Sequence, residues 1–222
     1  MDAVRAVLLD LDDTLTASNE FAADVLAAVA ADHGVTLTPE AIRSHRGAVY
    51  VPLMQDVFGV PRPAALAIYD TYRARYESMM RGRLEPTVGA GALLAALTTR
   101  GVPLALVTNK SASLASAVLD LFGWRDAFAA IIGNDSSANH KPHPDPALLA
   151  LSRLGHAPQH AAFVGDGVTD MACARAAQVA ARIGLIGATP ADELIAAGAT
   201  HICHDLDEVR ALLTPATAVS AR

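Results

Sequence analysis

Short apolar runs, separated by longer segments rich in Ala and Leu, constrain the fold of this chain more than any other feature of its sequence. The runs are 6–10, 103–109, 129–135, 161–166, 179–186 and 200–204. Short runs that are apolar throughout are typical of strands buried on both faces of a parallel sheet. The intervening segments 91–101 and 147–155 have a helical pattern and close with Gly, which suits a helix C-terminus. The alternation predicts an α/β fold with a doubly wound parallel sheet.

One interruption of this alternation predicts a second domain. Roughly 90 residues separate the first two apolar runs, and a single crossover helix needs far fewer. The intervening segment has helical patterns at 20–34, 38–47 and 63–82, with Thr38 placed to cap the second. We therefore predict an α/β core of residues 1–14 and 85–222, and an inserted helical domain, called the cap, of residues 15–84.

Composition narrows the function classes. The chain of 222 residues is 52% hydrophobic, carries a formal net charge of −6 and has no basic block, so we expect no nucleic-acid partner. The N-terminus lacks the pattern of a secretory signal, and no run of about 18 uncharged apolar residues is present. These features favour a cytoplasmic protein with no membrane segment. We expect a monomer or homodimer that acts on a small phosphorylated metabolite.

Polar and charged residues lie at or just after the ends of the predicted strands, where burial of the strand does not account for them. In open α/β sheets, ligands bind outside the carboxyl ends of the strands, so these side chains are expected to share one crevice. An acidic pair ends the first run and a second pair, four residues apart, follows the fourth run at the start of a helix predicted over 171–182. The complete set is Asp10, Asp12, Thr108, Asn109, Lys141, Asp166 and Asp170.

This residue set predicts phosphate chemistry. Closely spaced carboxylates are costly unless a cation, a proton or water relieves them. Magnesium prefers a few carboxylate oxygens, and a lysine with oriented amides holds phosphoryl charge. Asp10 and Asp12 are two residues apart on an extended chain and face the same side. One of them can attack phosphorus and the other can exchange a proton with the departing oxygen.

Four motifs in the same chain resemble the haloacid dehalogenase superfamily, in particular its phosphoglycolate-phosphatase-like branch with a helical cap of the C1 type. They are DLDDT at 10–14, VTNK at 107–110, KPHPDP at 141–146 and GDGVTD at 165–170, in the order of the family. The resemblance implies a Rossmann-like core with the cap inserted after the first motif. An acid two residues after the nucleophile, here Asp12, favours phosphate chemistry over dehalogenation within this superfamily.

The resemblance also implies roles for individual residues. Asp10 would be the nucleophile and Asp12 the general acid and base, while Thr108, Lys141 and a backbone amide of Asn109 would bind the phosphoryl oxygens. Mg²⁺ would be held by the Asp10 carboxylate, the Asp12 main-chain carbonyl and Asp166, supported by Asp170, and Thr14 would brace the first loop. Asp13 departs from the family pattern, which has Gly at this position.

The cap segment 43–59 resembles the family segment around a glycine, here Gly47, that faces the active site. Candidate substrate contacts in the cap are Arg43, His45, Arg46, Tyr50 and Asn19. An arginine at this place can pair with a substrate carboxylate such as that of phosphoglycolate.

The function expected from these residues is Mg²⁺-dependent hydrolysis of a small phosphorylated metabolite through an aspartyl-phosphate, with phosphoglycolate as the leading substrate. Two alternatives remain open. A phosphoglucomutase-like enzyme has the same core motifs and transfers the phosphoryl group to a sugar phosphate. A receiver-like phosphoacceptor switch also groups Asp, Thr and Lys around Mg²⁺, but it needs no large helical insert after its first strand.

Overall fold

The computed structural model describes residues 4–214. Its strands are β1 (Ala6–Leu9), β2 (Thr16–Ala17), β3 (Glu85–Pro86), β4 (Leu104–Val107), β5 (Phe128–Ile132), β6 (Ala161–Gly165), β7 (Ala181–Leu185) and β8 (His201–Cys203). Its helices are α1 (Asn19–Asp32), α2 (Pro39–Arg43), α3 (Tyr50–Asp56), α4 (Arg62–Met80), α5 (Ala90–Thr99), α6 (Ala112–Leu121), α7 (Asp145–Leu154), α8 (Val168–Ala176), α9 (Ala191–Ala197) and α10 (Leu206–Leu213).

The core is the predicted parallel sheet, in the order β5-β4-β1-β6-β7-β8. All its described pairings are parallel, and helices cover both faces. Along β1, Val7 and Leu9 pack into one apolar cluster, whereas Ala6 and Leu8 pack into another. Burial on both faces explains why the strands are apolar throughout rather than alternating. The predicted α/β fold class is confirmed.

The chain leaves and re-enters the core through a short antiparallel ribbon. Thr16 pairs with Pro86 and Ala17 with Glu85, so β2 and β3 lie side by side. Helices α1–α4 lie between them in sequence and pack around buried aromatic residues, with the rings of Phe21 and Tyr76 4.8 Å apart. The domain boundaries remain a prediction, and residues 1–3 and 215–222 of the predicted core lie outside the described range.

Two predicted helices end earlier than their sequence patterns suggest. The segment 38–47 forms only α2, whose predicted cap is present because Thr38 Oγ1 accepts from Ala41 N at 3.2 Å. The chain then turns, and Gly47 has a φ of +74° that a helix does not allow. The helix expected over 171–182 begins at Val168 and ends at Ala176, because Gln178 has a φ of +58° and the chain turns there into β7.

Four helices had no counterpart in the sequence reading: α3, α6, α9 and α10. Their sequences are short or interrupted by polar residues, and packing against the sheet or the cap supplies what local propensity does not. None of the helices in the described range 4–214 combines the length and apolar character needed to cross a bilayer.

Candidate active site

The strand order places the carboxyl ends of β4, β1 and β6 next to one another. Asp10 directly follows β1, and its main-chain N–H donates to Val164 O of β6 at 3.0 Å. Thr108 follows β4 and Asp166 follows β6. The connection from β1 runs to β4 on one side and the connection from β6 runs to β7 on the other side, so a crevice opens at this edge. A cavity of about 350 Å³ lies here, lined by residues of both the core and the cap.

Lys141 is the centre of the polar network at the bottom of this cavity. Its Nζ lies 2.7 Å from Asp10 Oδ1, 2.5 Å from Asp170 Oδ1 and 3.0 Å from Val107 O. The Lys141 side chain is 2% exposed. Burial alone would lower the pKa of Lys141, but Asp10 and Asp170 raise the pKa above its ordinary value. The lysine is therefore an ammonium ion aimed at the presumed nucleophile.

Asn109 holds Lys141 from the neighbouring loop. Its Oδ1 accepts from Lys141 N at 3.1 Å and its Nδ2 donates to Lys141 O at 3.0 Å. No described residue accepts a hydrogen bond from the Asn109 main-chain N–H, which leaves that donor available to a ligand. Thr108 is buried, and its Oγ1 accepts from Lys110 N at 3.2 Å while its own hydroxyl proton stays available.

Three buried carboxylates lie beside Lys141. One oxygen each of Asp10, Asp166 and Asp170 lies within 4.8 Å of the others. Thr14 Oγ1 donates to Asp166 Oδ1 at 2.9 Å, which fits the bracing role expected for Thr14. Gly167 N donates to Asp170 Oδ2 at 3.0 Å, so both oxygens of Asp170 are engaged by protein groups.

This acidic cluster fits a hard divalent cation. Burial, followed by the Asp170 carboxylate, raises the pKa of Asp10 from 3.8 to about 7 even though Lys141 acts in the opposite direction. Burial also raises the pKa of Asp166 well above its ordinary value. One oxygen of Asp10 and one of Asp166 have no donor among the described residues. Oxygen ligands of this kind are those that Mg²⁺ and Ca²⁺ take.

The Asp12 carboxylate lies apart from the acidic cluster. Ser18 Oγ donates a hydrogen bond to Asp12 Oδ1, and Lys110 Nζ lies 3.1 Å from the same oxygen. Asp12 therefore has a different cationic partner from Asp10, although the two are only two residues apart. Its carboxylate is outside the three-carboxylate group, and only its main-chain carbonyl was expected to be a metal ligand.

The cap reaches the core through the turn that contains Gly47. Gly47 O accepts from Asn109 Nδ2 at 2.6 Å. A Cβ at Gly47 would lie 2.9 Å from Thr169 Oγ1 of the core. Next to this glycine, Arg46 Nη1 lies 2.9 Å from Asp13 Oδ2. The cap turn thus contacts two core loops and the first turn of α8, and this seated arrangement of the cap is called closed below.

Asp13 adopts the backbone conformation that the family glycine implied, with a φ of +59°. Its carboxylate accepts from Ser18 N at 3.2 Å and Asn19 N at 3.1 Å, at the start of α1, in addition to Arg46. These contacts compensate for the left-handed conformation, which costs a non-glycine residue about 1–2 kcal/mol. Asp13 therefore links the first core loop, α1 and the cap turn.

Arg43 and His45 are engaged within the cap, whereas Asn19 Nδ2 donates to Asp13 Oδ2 of the core at 2.7 Å. Arg43 pairs with Glu40 Oε1 at 2.8 Å and with Asp24 Oδ1 at 3.5 Å. His45 packs against the ring of Phe58 with centroids 5.8 Å apart. Both Arg43 and His45 border the cavity, as do Tyr50 and Asn19, but Arg46 is the arginine whose partner belongs to the core.

Lys110 is the site residue that sequence reasoning missed. It stands at the end of the VTNK motif, yet no role was assigned to it. Lysine usage carried a signal, because only Lys110 and Lys141 are lysines among the 17 Lys and Arg residues of the chain. Both are buried at this site. Lysine is normally a surface residue. The burial of both lysines of this chain at one site therefore indicates that each has a role there.

Known proteins resemble this chain in sequence and in fold. The haloacid dehalogenase-like hydrolase family matches residues 4–178. A phosphoglycolate phosphatase of Xylella fastidiosa is 34% identical over 198 residues, covering 82% of this chain and 81% of the relative. A predicted phosphatase from Clostridium acetobutylicum superposes with a TM-score of 0.84 at 24% identity, covering 96% of this chain and 99% of the other.

A further solved structure of the same fold was obtained with a sugar phosphate. It is a variant of CbbY from Rhodobacter sphaeroides in complex with xylulose-1,5-bisphosphate. The TM-score is 0.84 at 24% identity, with 92% of this chain and 96% of that chain covered. At this level of identity the similarity is one of fold.

Proposed function

The chain belongs to the haloacid dehalogenase-like hydrolase family and is a phosphoric monoester hydrolase, and we propose that it is a Mg²⁺-dependent phosphatase of a small phosphorylated metabolite that works through an aspartyl-phosphate on Asp10. The observation that carries this proposal is the environment of Asp10. It is buried beside two further carboxylates and salt-bridged to Lys141. This arrangement suits a nucleophile that receives a negatively charged phosphoryl group and needs a cation in place before it does.

The first half-reaction uses both aspartates of the first motif. Asp10 attacks phosphorus, the bond from phosphorus to the ester oxygen breaks, and Asp12 donates a proton to the departing oxygen. Lys141, the Thr108 hydroxyl and the Asn109 main-chain N–H bind the phosphoryl oxygens. When bound, Mg²⁺ supplies charge neutralisation, held by the Asp10 and Asp166 carboxylates and the Asp12 carbonyl with Asp170 in support.

The second half-reaction regenerates the enzyme. Asp12, now a carboxylate, removes a proton from a water molecule that attacks the phosphorus of the aspartyl-phosphate. The acyl phosphate bond breaks, inorganic phosphate leaves and Asp10 is free again. The closed cap keeps other water away from the site until the first product leaves.

Phosphoglycolate is the proposed substrate because the relative of Xylella fastidiosa is named a phosphatase of that compound. The cavity also offers Arg46, whose guanidinium is held at its edge and can exchange Asp13 for a substrate carboxylate. The expectations of a cytoplasmic location and of a monomer or homodimer stay predictions.

The test is phosphate release from phosphoglycolate, glycerol phosphate, sugar phosphates and pyrophosphate, with and without Mg²⁺. We expect Mg²⁺-dependent release that Asp10→Asn abolishes and that Asp126→Asn, a change at an exposed position away from the site, leaves intact. Release that persists in Asp10→Asn would refute the proposed nucleophile. Isomerisation of a sugar phosphate without net phosphate release would instead identify a mutase.

A further inference from the structure

The second buried lysine has no part in the reaction as described so far. We propose that Lys110 is a positioning residue that holds the Asp12 carboxylate where it exchanges a proton with the leaving-group oxygen. This inference rests on the proposed function, because it concerns the group assigned as general acid and base.

The surroundings of Lys110 direct its charge to Asp12. Its Nζ lies 3.1 Å from Asp12 Oδ1 and 4.5 Å from the centre of the Tyr76 ring. The Lys110 side chain is 6% exposed and that of Asp12 is 22% exposed. Within the described residues, no other carboxylate lies within salt-bridge distance of this ammonium group. Lys110 is thus covered by α4 of the cap on one side and faces Asp12 on the other.

A structural role alone does not account for a lysine at this place. Burying an ion pair costs several kcal/mol of desolvation for each ion, and apolar side chains of similar volume are often as stable. The chain uses arginine for every cation except the two lysines of this site. A compact ammonium group fits beneath a ring and pairs with one oxygen, whereas a guanidinium is larger and planar.

Lys110 belongs to the same loop as one of the proposed phosphoryl ligands. Its main-chain N–H donates to Thr108 Oγ1 at 3.2 Å, so the proposed phosphoryl ligand and the partner of Asp12 belong to one loop. Ser18 Oγ donates to Asp12 Oδ1 as well. With Lys110 and Ser18 both bound to Oδ1, the second oxygen of Asp12 is left to meet the ester oxygen of the substrate.

The position of Tyr76 makes this support depend on the cap. Tyr76 lies on α4, so its ring covers Lys110 when the cap is seated as in this structure. An ion pair shielded from water is stronger than one in contact with it. The Asp12 carboxyl group is therefore held most firmly once the cap has closed over a substrate, with Lys110 and Ser18 bound to Oδ1 and the transferred proton on the other oxygen.

The test compares two substrates that differ in their need for a proton. An alkyl phosphate requires protonation of its leaving oxygen, whereas p-nitrophenyl phosphate does not. The ratio kcat/KM covers the steps up to release of this first product. For Lys110→Met we expect kcat/KM to fall about 10- to 100-fold with the alkyl ester and to stay within about 3-fold with the aryl ester.

Controls separate this result from general damage. Arg83→Met removes another cation over an aromatic ring of the cap, that of Phe21. We expect it to leave kcat/KM unchanged for both the alkyl and the aryl ester. Equal losses with both esters in Lys110→Met would overturn the proposal, because a merely structural lysine has no preference for leaving groups. If the unchanged protein hydrolyses neither ester, the proposed function itself fails.

A second measurement does not depend on replacing Lys110. Protein labelled with ¹⁵N at the lysine side chains has two lysine signals, since the chain has two lysines. Asp12→Asn should shift one signal and Asp10→Asn should shift mainly the other. If Lys110 does not interact with Asp12, one of the two signals will keep its position in both variants. That outcome overturns the proposal even if Lys110→Met does not fold.

Discussion

The floor and the roof of the active site are built in different ways. The floor, which consists of Asp10, Thr108, Lys141, Asp166 and Asp170, comes entirely from the core, and all five side chains are buried. The roof, which consists of Arg46, Gly47, Tyr50 and Tyr76, comes from the cap and meets the core through a few contacts of one turn and one helix. On the proposed function, we expect the core to determine the chemistry and the cap to determine which molecule is admitted.

The two lysines differ in the same way, because one lies within the floor and the other lies between the floor and the roof. Lys141 joins two carboxylates of the floor, whereas Lys110 lies at the boundary between floor and roof with an aspartate of the core and a tyrosine of the cap. Changes in the floor should therefore remove activity towards every substrate. Changes in the roof should be smaller and depend on the substrate.

The largest effect is expected from Lys141→Met. This change removes a phosphoryl-binding cation and leaves Asp10 and Asp170 buried without their partner. Loss of one such stabilising donor costs about 100- to 1,000-fold in kcat, and we expect this loss with every ester of the panel. Circular dichroism will show whether the variant remains folded. A folded Lys141→Met with kcat within tenfold of the unchanged protein contradicts the role given to the floor.

The acidic floor also predicts how stability depends on pH when no divalent cation is present. Burial raises the pKa of Asp10 from 3.8 to about 7, so the folded protein binds this proton more tightly than the unfolded chain. The corresponding stability is complete below pH 3.8 and is lost as pH rises through 7, with a slope of up to about 1.4 kcal/mol per pH unit.

Thermal unfolding of metal-free protein between pH 5.5 and 8 measures this dependence. We expect Tm to fall towards pH 8 and this fall to be smaller in Asp10→Asn, which has no carboxyl group to titrate. Mg²⁺ should stabilise the unchanged protein more at pH 8 than at pH 6, because it competes there with fewer protons. Identical profiles for the two proteins would mean that burial does not raise the pKa of Asp10.

An intermediate effect is expected from Gly47→Ala in the roof. The new Cβ would lie 2.9 Å from Thr169 Oγ1, and the backbone has a φ of +74°, so the cap turn should no longer seat on the core. We expect kcat/KM to fall about 10-fold or more, since positioning of reacting groups is sensitive to displacements of about 1 Å. Gly47 is exposed, so Tm should change little beyond the backbone cost.

Gly59→Ala is the matched control for this change. Gly59 has a φ of +66° and no heavy atom within 4 Å of an added Cβ. It bears a similar backbone penalty without the collision. A loss of kcat/KM as large as that of Gly47→Ala would show that backbone strain in the cap, not contact with Thr169, is responsible.

The smallest effect is expected from Arg46→Gln. Its pair with Asp13 is partly exposed, with side chains 34% and 23% accessible, and such pairs contribute about 0.2–1 kcal/mol. We expect less than about 5-fold loss of kcat/KM with a neutral ester and a larger loss with phosphoglycolate, whose carboxylate Arg46 would bind. Arg43→Gln, which breaks pairs within the cap only, should not discriminate between the two esters. Equal losses with both esters in Arg46→Gln would remove this arginine from substrate recognition.

The floor could be predicted from the sequence, whereas most of the contacts between floor and roof could not. The floor was predictable because each of its residues follows an apolar strand and parallel strands end at a common edge. The link of Asp12 to Lys110 was not, because it joins residues 98 positions apart and leaves no local pattern. The turn after α2 and the helices α3 and α6 were also missed, since contacts between distant segments determine them more than propensity does.

The most direct test of the account is to trap the phosphorylated enzyme. The unchanged protein and Asp12→Asn are mixed with Mg²⁺ and p-nitrophenyl phosphate, quenched in acid within the first turnovers and mapped by peptide mass spectrometry. We predict one phosphoryl group on the peptide that contains Asp10, with more of it in Asp12→Asn because water is no longer activated. Phosphate release with no modified peptide, or with the phosphoryl group on another residue, would contradict nucleophilic catalysis by Asp10.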